Sequence, residues 1–339
     1  MKKMRKTVVS VVTVTLLAAA CMLNGCGMSD FDISAQGNAQ ALEEATGEET
    51  ETDSKEGLDE DAGSSEVIAL DEQDLVEPEV AEQTDILDEH EETPSEEEGM
   101  QLVFLGDSIF DNARDGTGIP YLTSVMCDAD CYNMSMGGTA AALLIDESAV
   151  FEKWESRCLM GVVNVICGNV SPEILEGYTA YDVYKSCDFS KTDYFIIEYG
   201  MNDYFNKTRL TSDDNPTDLY TYAGALRSAI NTLRAQFPDA KIVLCSPNYA
   251  QFWAKGAYAG DGNIVSNGVA TLVEYYRVCG NVSADYHTLF LNAYEGIGLD
   301  AYTAEEYLED GVHLTEKGRK QYARILAEII NEDAGKVTE

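Results

Sequence analysis

Two short stretches of this chain carry residue types that can do chemistry together: Gly106-Asp107-Ser108, and, far downstream, Asp310-Gly311-Val312-His313. A serine hydroxyl is a poor nucleophile at neutral pH. Attack on an ester carbonyl therefore needs a base that takes the hydroxyl proton and later returns it to the leaving alcohol. A neutral imidazole does both. The chain has three histidines, His90, His287 and His313. His90 lies in an acidic stretch that cannot build a core, and His287 precedes a predicted strand with no acid arranged to orient it. That leaves His313. Asp310, three residues earlier, can turn back to accept the ring N–H, which fixes the tautomer and stabilises the imidazolium. Ser108, Asp310 and His313 are thus the candidate triad. Taken singly, Ser108 also reads as a helix N-cap after a turn, and Asp310 as a cap for a helix starting near Thr315.

Such residues need elements to hold them. From residue 101 onward, short apolar runs alternate with helical spacing. Predicted strands are Leu102–Leu105, Cys131–Met134, Tyr194–Tyr199, Lys241–Cys245 and Leu289–Leu291. Leu219, Tyr222, Ala223, Leu226, Ile230, Leu233 and Phe237 form one helical stripe, and Tyr322, Ile325, Leu326, Ile329 and Ile330 another. Strands alternating with helices predict a parallel sheet covered on both faces, in a single domain. Residues 150 to 192 fit no strand-helix unit and read as an insertion packed near one end.

Ligands of such a sheet bind beyond the carboxyl ends of its strands. Four blocks fall there: Gly106-Asp107-Ser108, Asn133-Met134-Ser135-Met136-Gly137-Gly138-Thr139, Gly200-Met201-Asn202-Asp203, and Asp310-Gly311-Val312-His313. In this order they resemble the four blocks of the SGNH (GDSL) hydrolases, with Ser108, Gly138, Asn202 and His313 at the naming positions. The resemblance covers essentially all of residues 101 to 339. It implies a flavodoxin-like three-layer α/β/α sandwich with a mainly parallel five-stranded sheet, and a serine esterase. It also implies an oxyanion hole made of the Ser108 backbone N–H, the Gly138 backbone N–H and the Asn202 side-chain amide, with Gly137 as the competing glycine. Asn202 alone reads as a turn residue. Asp107 is expected to brace the loop rather than react. The Gly-x-Ser-x-Gly elbow of α/β-hydrolases is absent, because Ile109 and Phe110 follow Ser108. No phosphate loop, dinucleotide fingerprint or metal-binding helix appears, so neither cofactor nor metal is expected.

The first hundred residues have a different texture. Lys2, Lys3, Arg5 and Lys6 precede an apolar run from Val8 to Ala20, the pattern of a secretory leader over residues 1–26. Leu23-Asn24-Gly25-Cys26 resembles a bacterial lipobox, which implies lipidation of Cys26, a membrane anchor and an extracytoplasmic location. Residues 27–100 hold 27 acidic side chains against Lys55 alone. Too little apolar surface is present to offset chain entropy, so this segment reads as a disordered tether reaching on the order of 50 Å or more.

The formal net charge of −39 leaves the globular part at −17, with no cluster of basic residues, and this excludes nucleic acid as an expected partner. Seven cysteines fall there, and their pairing is not readable. Tyr249, Phe252, Trp253 and Tyr258, with Gly256, Gly260 and Gly262, read as an aromatic loop at the catalytic end that could pack sugars or acyl chains, or simply cover a core edge. The expected substrate is a small acyl ester, acetyl first, with carbohydrate the favoured alcohol. Acyl transfer by the same triad and a non-catalytic surface-binding lipoprotein are the alternatives.

Overall fold

Leu102, Val103, Phe104 and Leu105, all fully buried, form the centre of β1 (Met100–Gly106) in the computed structural model, which describes residues 99–336. The predicted leader, Cys26 and all but the last two residues of the predicted tether lie outside the described residues. β1 starts at Met100, which pairs with Ala129, so the globular part begins just before the predicted boundary.

The chain runs from β1 through a one-turn helix α1 (Ser108–Asp111) and α2 (Ile119–Cys127) to β2 (Ala129–Asn133). Helices α3 (Leu159–Ile166) and α4 (Thr179–Ser186) lead on to β3 (Tyr194–Glu198). After α5 (Met201–Phe205) and α6 (Tyr222–Gln236) comes β4 (Lys241–Cys245), then a two-stranded ribbon of β5 (Gln251–Ala254) and β6 (Ala257–Asp261). Helix α7 (Leu272–Tyr286), β7 (Leu289–Leu291), α8 (Ala304–Tyr307) and α9 (Glu316–Asp333) complete the order.

β2-β1-β3-β4-β7 form one sheet, and every pairing in it is parallel. All five predicted strands are therefore present, with ends shifted by at most two residues. The interior strands are buried on both faces, as a parallel sheet covered by helices requires, whereas the edge strands β2 and β7 are partly open. Helices α2 and α9 pack together against β1 and β7; α3, α6 and α7 pack in a row, with α3 against β1 and α7 against β4. The result is the three-layer α/β/α sandwich with flavodoxin-like strand order. In that order the chain reverses direction across the sheet between β1 and β3, and a crevice opens there beyond their carboxyl ends.

Two expectations need correction. Residues 150 to 192 are not an insertion at one end. All eight residues of α3 are buried, and this helix is part of the crossover from β2 to β3. Its sequence is a mostly apolar run of eight residues, which by pattern alone cannot be told from a buried strand. The aromatic segment is also no loop but the β5–β6 antiparallel ribbon. Lys255 and Gly256 both take positive φ, 52° and 79°, as a tight two-residue hairpin turn demands. Lys-Gly is not one of the strong hairpin signals, and the ribbon was hidden for that reason.

All seven cysteines of the described residues are free. Among the described residues, no helix is long and apolar enough to cross a membrane.

Candidate active site

The end of β1 delivers Asp107 and Ser108 into the crevice. Asp107 is the N-cap of α1, its Oδ1 accepting from the Ile109 N–H at 2.9 Å. The Phe110 and Asp111 amides bond to the Asp107 carbonyl, and Asn112 bonds to that of Ser108. Within this turn no acceptor is seen for the Ser108 N–H among the described residues.

The second half of the site comes from the far end of the chain. His313 Nε2 lies 2.9 Å from Ser108 Oγ, and His313 Nδ1 lies 2.7 Å from Asp310 Oδ2. Asp310 Oδ1 also accepts the backbone N–H groups of Val312 (3.0 Å) and His313 (2.8 Å). One carboxylate therefore folds the turn and orients the ring. Half-burial works to raise the Asp310 pKa, but these three hydrogen bonds outweigh it and hold the group at about 2. For His313, burial works to lower the pKa. The bond to Asp310, together with the charges of Asp310, Asp107 and Glu309, more than offsets this and leaves the ring above its ordinary value.

The turn is backed by the β5–β6 ribbon. Gly311 has φ 92°, and a Cβ there would come within 2.3 Å of Trp253 Cζ3 and 2.5 Å of the Gln251 carbonyl oxygen. Only glycine allows that approach. The Gln251 N–H donates to the Gly311 carbonyl at 2.8 Å, and Asn248 Nδ2 to that of Val312 at 3.1 Å.

The loop after β2 supplies the next groups. The Gly137 N–H donates to Asp111 Oδ2 at 2.7 Å, so it is already engaged. Asp111 is in turn paired with Arg114 Nε at 2.5 Å, and the rest of that guanidinium bonds the carbonyls of Asn133 and Ser135. Gly138, at φ 77° and exposed, keeps an N–H with no acceptor among the described residues. Of the two competing glycines, Gly138 is the one with a donor to spare.

Asn202, in the first turn of α5 after β3, is placed differently from the expectation of a side-chain amide open to substrate. Its Nδ2 donates to Asp107 Oδ2 at 2.9 Å and to the Thr139 carbonyl at 3.0 Å, so both amide hydrogens are engaged inside the protein. It ties the ends of β1 and β3 to the glycine loop. Next to it, fully buried Asp203 accepts from the N–H groups of Ala141 (2.8 Å) and Ala142 (3.0 Å). Burial raises its pKa, those two donors oppose the rise, and the balance is about 7.

Ser108, Asp310, His313, Gly138 and Asn202 thus come together from four loops, all at the carboxyl ends of strands. His287 does not join them: it caps α7 in a left-handed conformation at the amino end of β7, away from the carboxyl ends that carry the site. The groups that sequence reasoning passed over are Asp111, Arg114, Asp203 and Glu198. Glu198 could have been noticed, since a carboxyl that closes an otherwise apolar run in a central strand has no ordinary reason to be there.

A cavity of about 310 Å³ opens beside the relay, lined by Ser108, Asn112, Arg114, Asp115, Glu309 and His313 among others. Charged heads and amides dominate its wall.

The description "GDSL-like Lipase/Acylhydrolase" matches residues 102–326. No curated protein sequence matches the chain. Among solved structures, one crystal structure aligns at 20% identity and TM-score 0.50, over 69% of this chain and 97% of that one. A protein from Lactobacillus plantarum aligns at 18% identity and TM-score 0.47 over 69% and 97%. Est24, a carbohydrate acetylesterase from Sinorhizobium meliloti, aligns at 11% and 0.41 over 69% and 99%. The matched stretch contains every strand of the sheet after the first two residues of β1 and all four loops of the crevice; the chain belongs to the GDSL-like lipase/acylhydrolase family and is a carboxylic ester hydrolase.

Proposed function

We propose that this protein is an extracytoplasmic serine esterase that removes small acyl groups, acetyl first, from carbohydrate, through an acyl-enzyme on Ser108. The observation that carries this reading is the unbroken relay from Ser108 Oγ to His313 (2.9 Å) to Asp310 (2.7 Å). His313 Nε2 takes the hydroxyl proton as Ser108 attacks the carbonyl carbon, and gives it to the leaving alcohol as the tetrahedral intermediate collapses. Water then enters, loses a proton to the same nitrogen and releases the acid. The developing oxyanion is met by the N–H groups of Ser108 and Gly138. Asn202 serves as the third donor by exchanging its Thr139 carbonyl for the substrate oxygen.

The polar cavity supports a polar alcohol. An acyl chain laid against Asp115, Glu309 and Arg114 would strip water from charged groups and replace it with nothing. Trp253 and Tyr258, 41% and 55% exposed with ring centroids 5.8 Å apart, stand on the ribbon that backs the Asp310–His313 turn and offer apolar faces to a sugar ring. The leader and Cys26 motif support the location outside the cytoplasm.

The test is turnover of acetyl, butyryl and octanoyl esters, and of acetylated oligosaccharides, by the purified protein. Acetyl esters are expected to turn over fastest. A preference for octanoyl would overturn the small-acyl reading, and acyl-sugar products formed on adding a free sugar acceptor would mark a transferase. Detection of the protein in the cytoplasmic fraction alone would overturn the location.

The pH dependence has a definite sign. His313 must be neutral to act as base, and its pKa lies above the ordinary 6.5. The acid limb of kcat/KM is therefore expected to reach half-height above pH 6.5, and a rate still undiminished at about pH 6 would remove His313 as the base. Stability runs the other way for this group. A folded-state pKa above the unfolded one stabilises the fold below the unfolded value, and that contribution is lost as pH rises through the folded pKa.

A further inference from the structure

Beneath Ser108, away from solvent, two carboxyl groups meet. Asp107 is fully buried, and Glu198, the last residue of β3, is 1% exposed. Strand register sets Glu198 opposite Gly106, one residue before Asp107. The Asp107 oxygens are well supplied, Oδ1 by the Ile109 N–H and Oδ2 by the Asn202 amide. Among the described residues no donor forms a hydrogen bond of ordinary geometry with either Glu198 oxygen; the Asp107 backbone N–H comes near enough to favour the ionised form of Glu198, whose side-chain partner is the Asp107 carboxyl itself.

Two carboxylates in contact in a buried site repel each other, and having both ionised is strongly disfavoured. One proton between them turns the repulsion into a hydrogen bond. The remaining titratable groups close to Glu198 bring no positive charge: Tyr199 just after β3, Asp203 on α5, Tyr222 on α6, Cys245 on β4, Cys279 on α7 and Tyr322 on α9. His313 bears on Asp107 from the substrate side.

We propose that Glu198 and Asp107 share one proton carried by Glu198, and that this proton keeps Asp107 an anion able to hold Asn202 and the first turn of α1. The assignment follows from the donors. Asp107 has two well-formed N–H bonds that favour its ionised form, and Glu198 has only the Asp107 backbone N–H, outside ordinary hydrogen-bond geometry. Burial first, then the Asp107 charge, push the Glu198 carboxyl well above the usual carboxylate range, in agreement with that assignment. Glu198 touches no substrate. It is a positioning residue that acts through Asp107 on Asn202 and, by way of the Asp107 charge, on the basicity of His313.

A consequence follows at alkaline pH. Loss of the Glu198 proton leaves two buried anions side by side, Asp107 shifts, and the Asn202 amide loses its anchor, so activity falls.

The kinetic arm of the test rests on the esterase reading above; the spectroscopic arm does not. In the whole protein, Glu198→Leu removes the donor at similar volume and is expected to lower kcat about tenfold or more with little change in KM. Glu198→Gln supplies an N–H that no pH removes. It is expected to restore most of the lost kcat and to abolish the alkaline limb of the wild-type profile. Infrared difference spectra at about pH 8.5, where Asp203, which titrates at about 7, is ionised, are expected to show a protonated-carboxyl C=O stretch in the wild type that is missing from Glu198→Gln. Absence of that band, a Glu198→Gln profile that keeps the wild-type alkaline limb, or Glu198→Gln as impaired as Glu198→Leu would each overturn the proposal. A protein inactive on every ester that still shows the band would overturn the esterase reading and leave the shared proton standing.

Discussion

Ser108→Ala is expected to lower kcat for ester hydrolysis by about 10⁶-fold, to a residual rate still about 10³-fold above that of water. The variant deletes one atom, Oγ, and with it the only bond that closes the relay from Ser108 to His313. Nothing near it can substitute. His287 caps a helix at the amino end of β7, away from the carboxyl ends of the strands. What survives, on the proposed mechanism, is the pair of N–H groups at Ser108 and Gly138, which would still polarise a bound carbonyl. Ser108 is only half-buried, and alanine keeps the helical backbone of α1, so the thermal midpoint should move by no more than a few degrees. Steady-state rates and fluorophosphonate labelling check this together. Labelling that persists in the variant, or more than a few per cent of wild-type kcat, would move the nucleophile elsewhere.

Asp310→Asn is expected to cost about 10⁴-fold in kcat while leaving the turn folded. The asparagine oxygen can still accept the Val312 and His313 amides, now held at 3.0 and 2.8 Å by Oδ1. The other atom becomes an N–H pointing at Nδ1. The ring answers by moving its proton to Nε2, and the nitrogen facing Ser108 is then a donor that cannot take the hydroxyl proton. With the anion gone, the His313 pKa should also fall, so the acid limb of whatever activity remains shifts to lower pH. A loss smaller than tenfold, or an acid limb that stays where it was, would show that Asp310 only shapes the turn.

What could be read from the chain alone follows the physics of each signal. β1, β3 and β4 are short apolar runs because the sheet is covered on both faces, and such runs are visible without any tertiary information. Three of the four blocks were legible because each follows the carboxyl end of a strand; the fourth, Asp310–His313, lies between α8 and α9 and was legible from its Asp-x-x-His spacing. Helix α3 was not legible, since a mostly apolar run of eight residues reads equally as a buried strand or a short buried helix. The β5–β6 ribbon was missed because its turn uses Lys255 in a left-handed conformation that its sequence does not advertise. The partners of Asn202 were out of reach for another reason. Whether an amide faces substrate or bonds Asp107 and Thr139 is decided by three loops meeting, and no one of them carries that information.

The bond between Ser108 and His313 closes across 205 residues of chain. Ser108 follows the first strand of the sheet, and His313 comes after the last, on the approach to α9. A relay of this span cannot exist in any partly built form of the sheet, because its two halves approach only when β4 and β7 have docked and α9 has folded back beside α2. Contacts so distant in sequence form late and slowly in folding. Regain of esterase activity on refolding from denaturant should therefore trail the return of helical signal, and turnover reports the last step of assembly rather than the first.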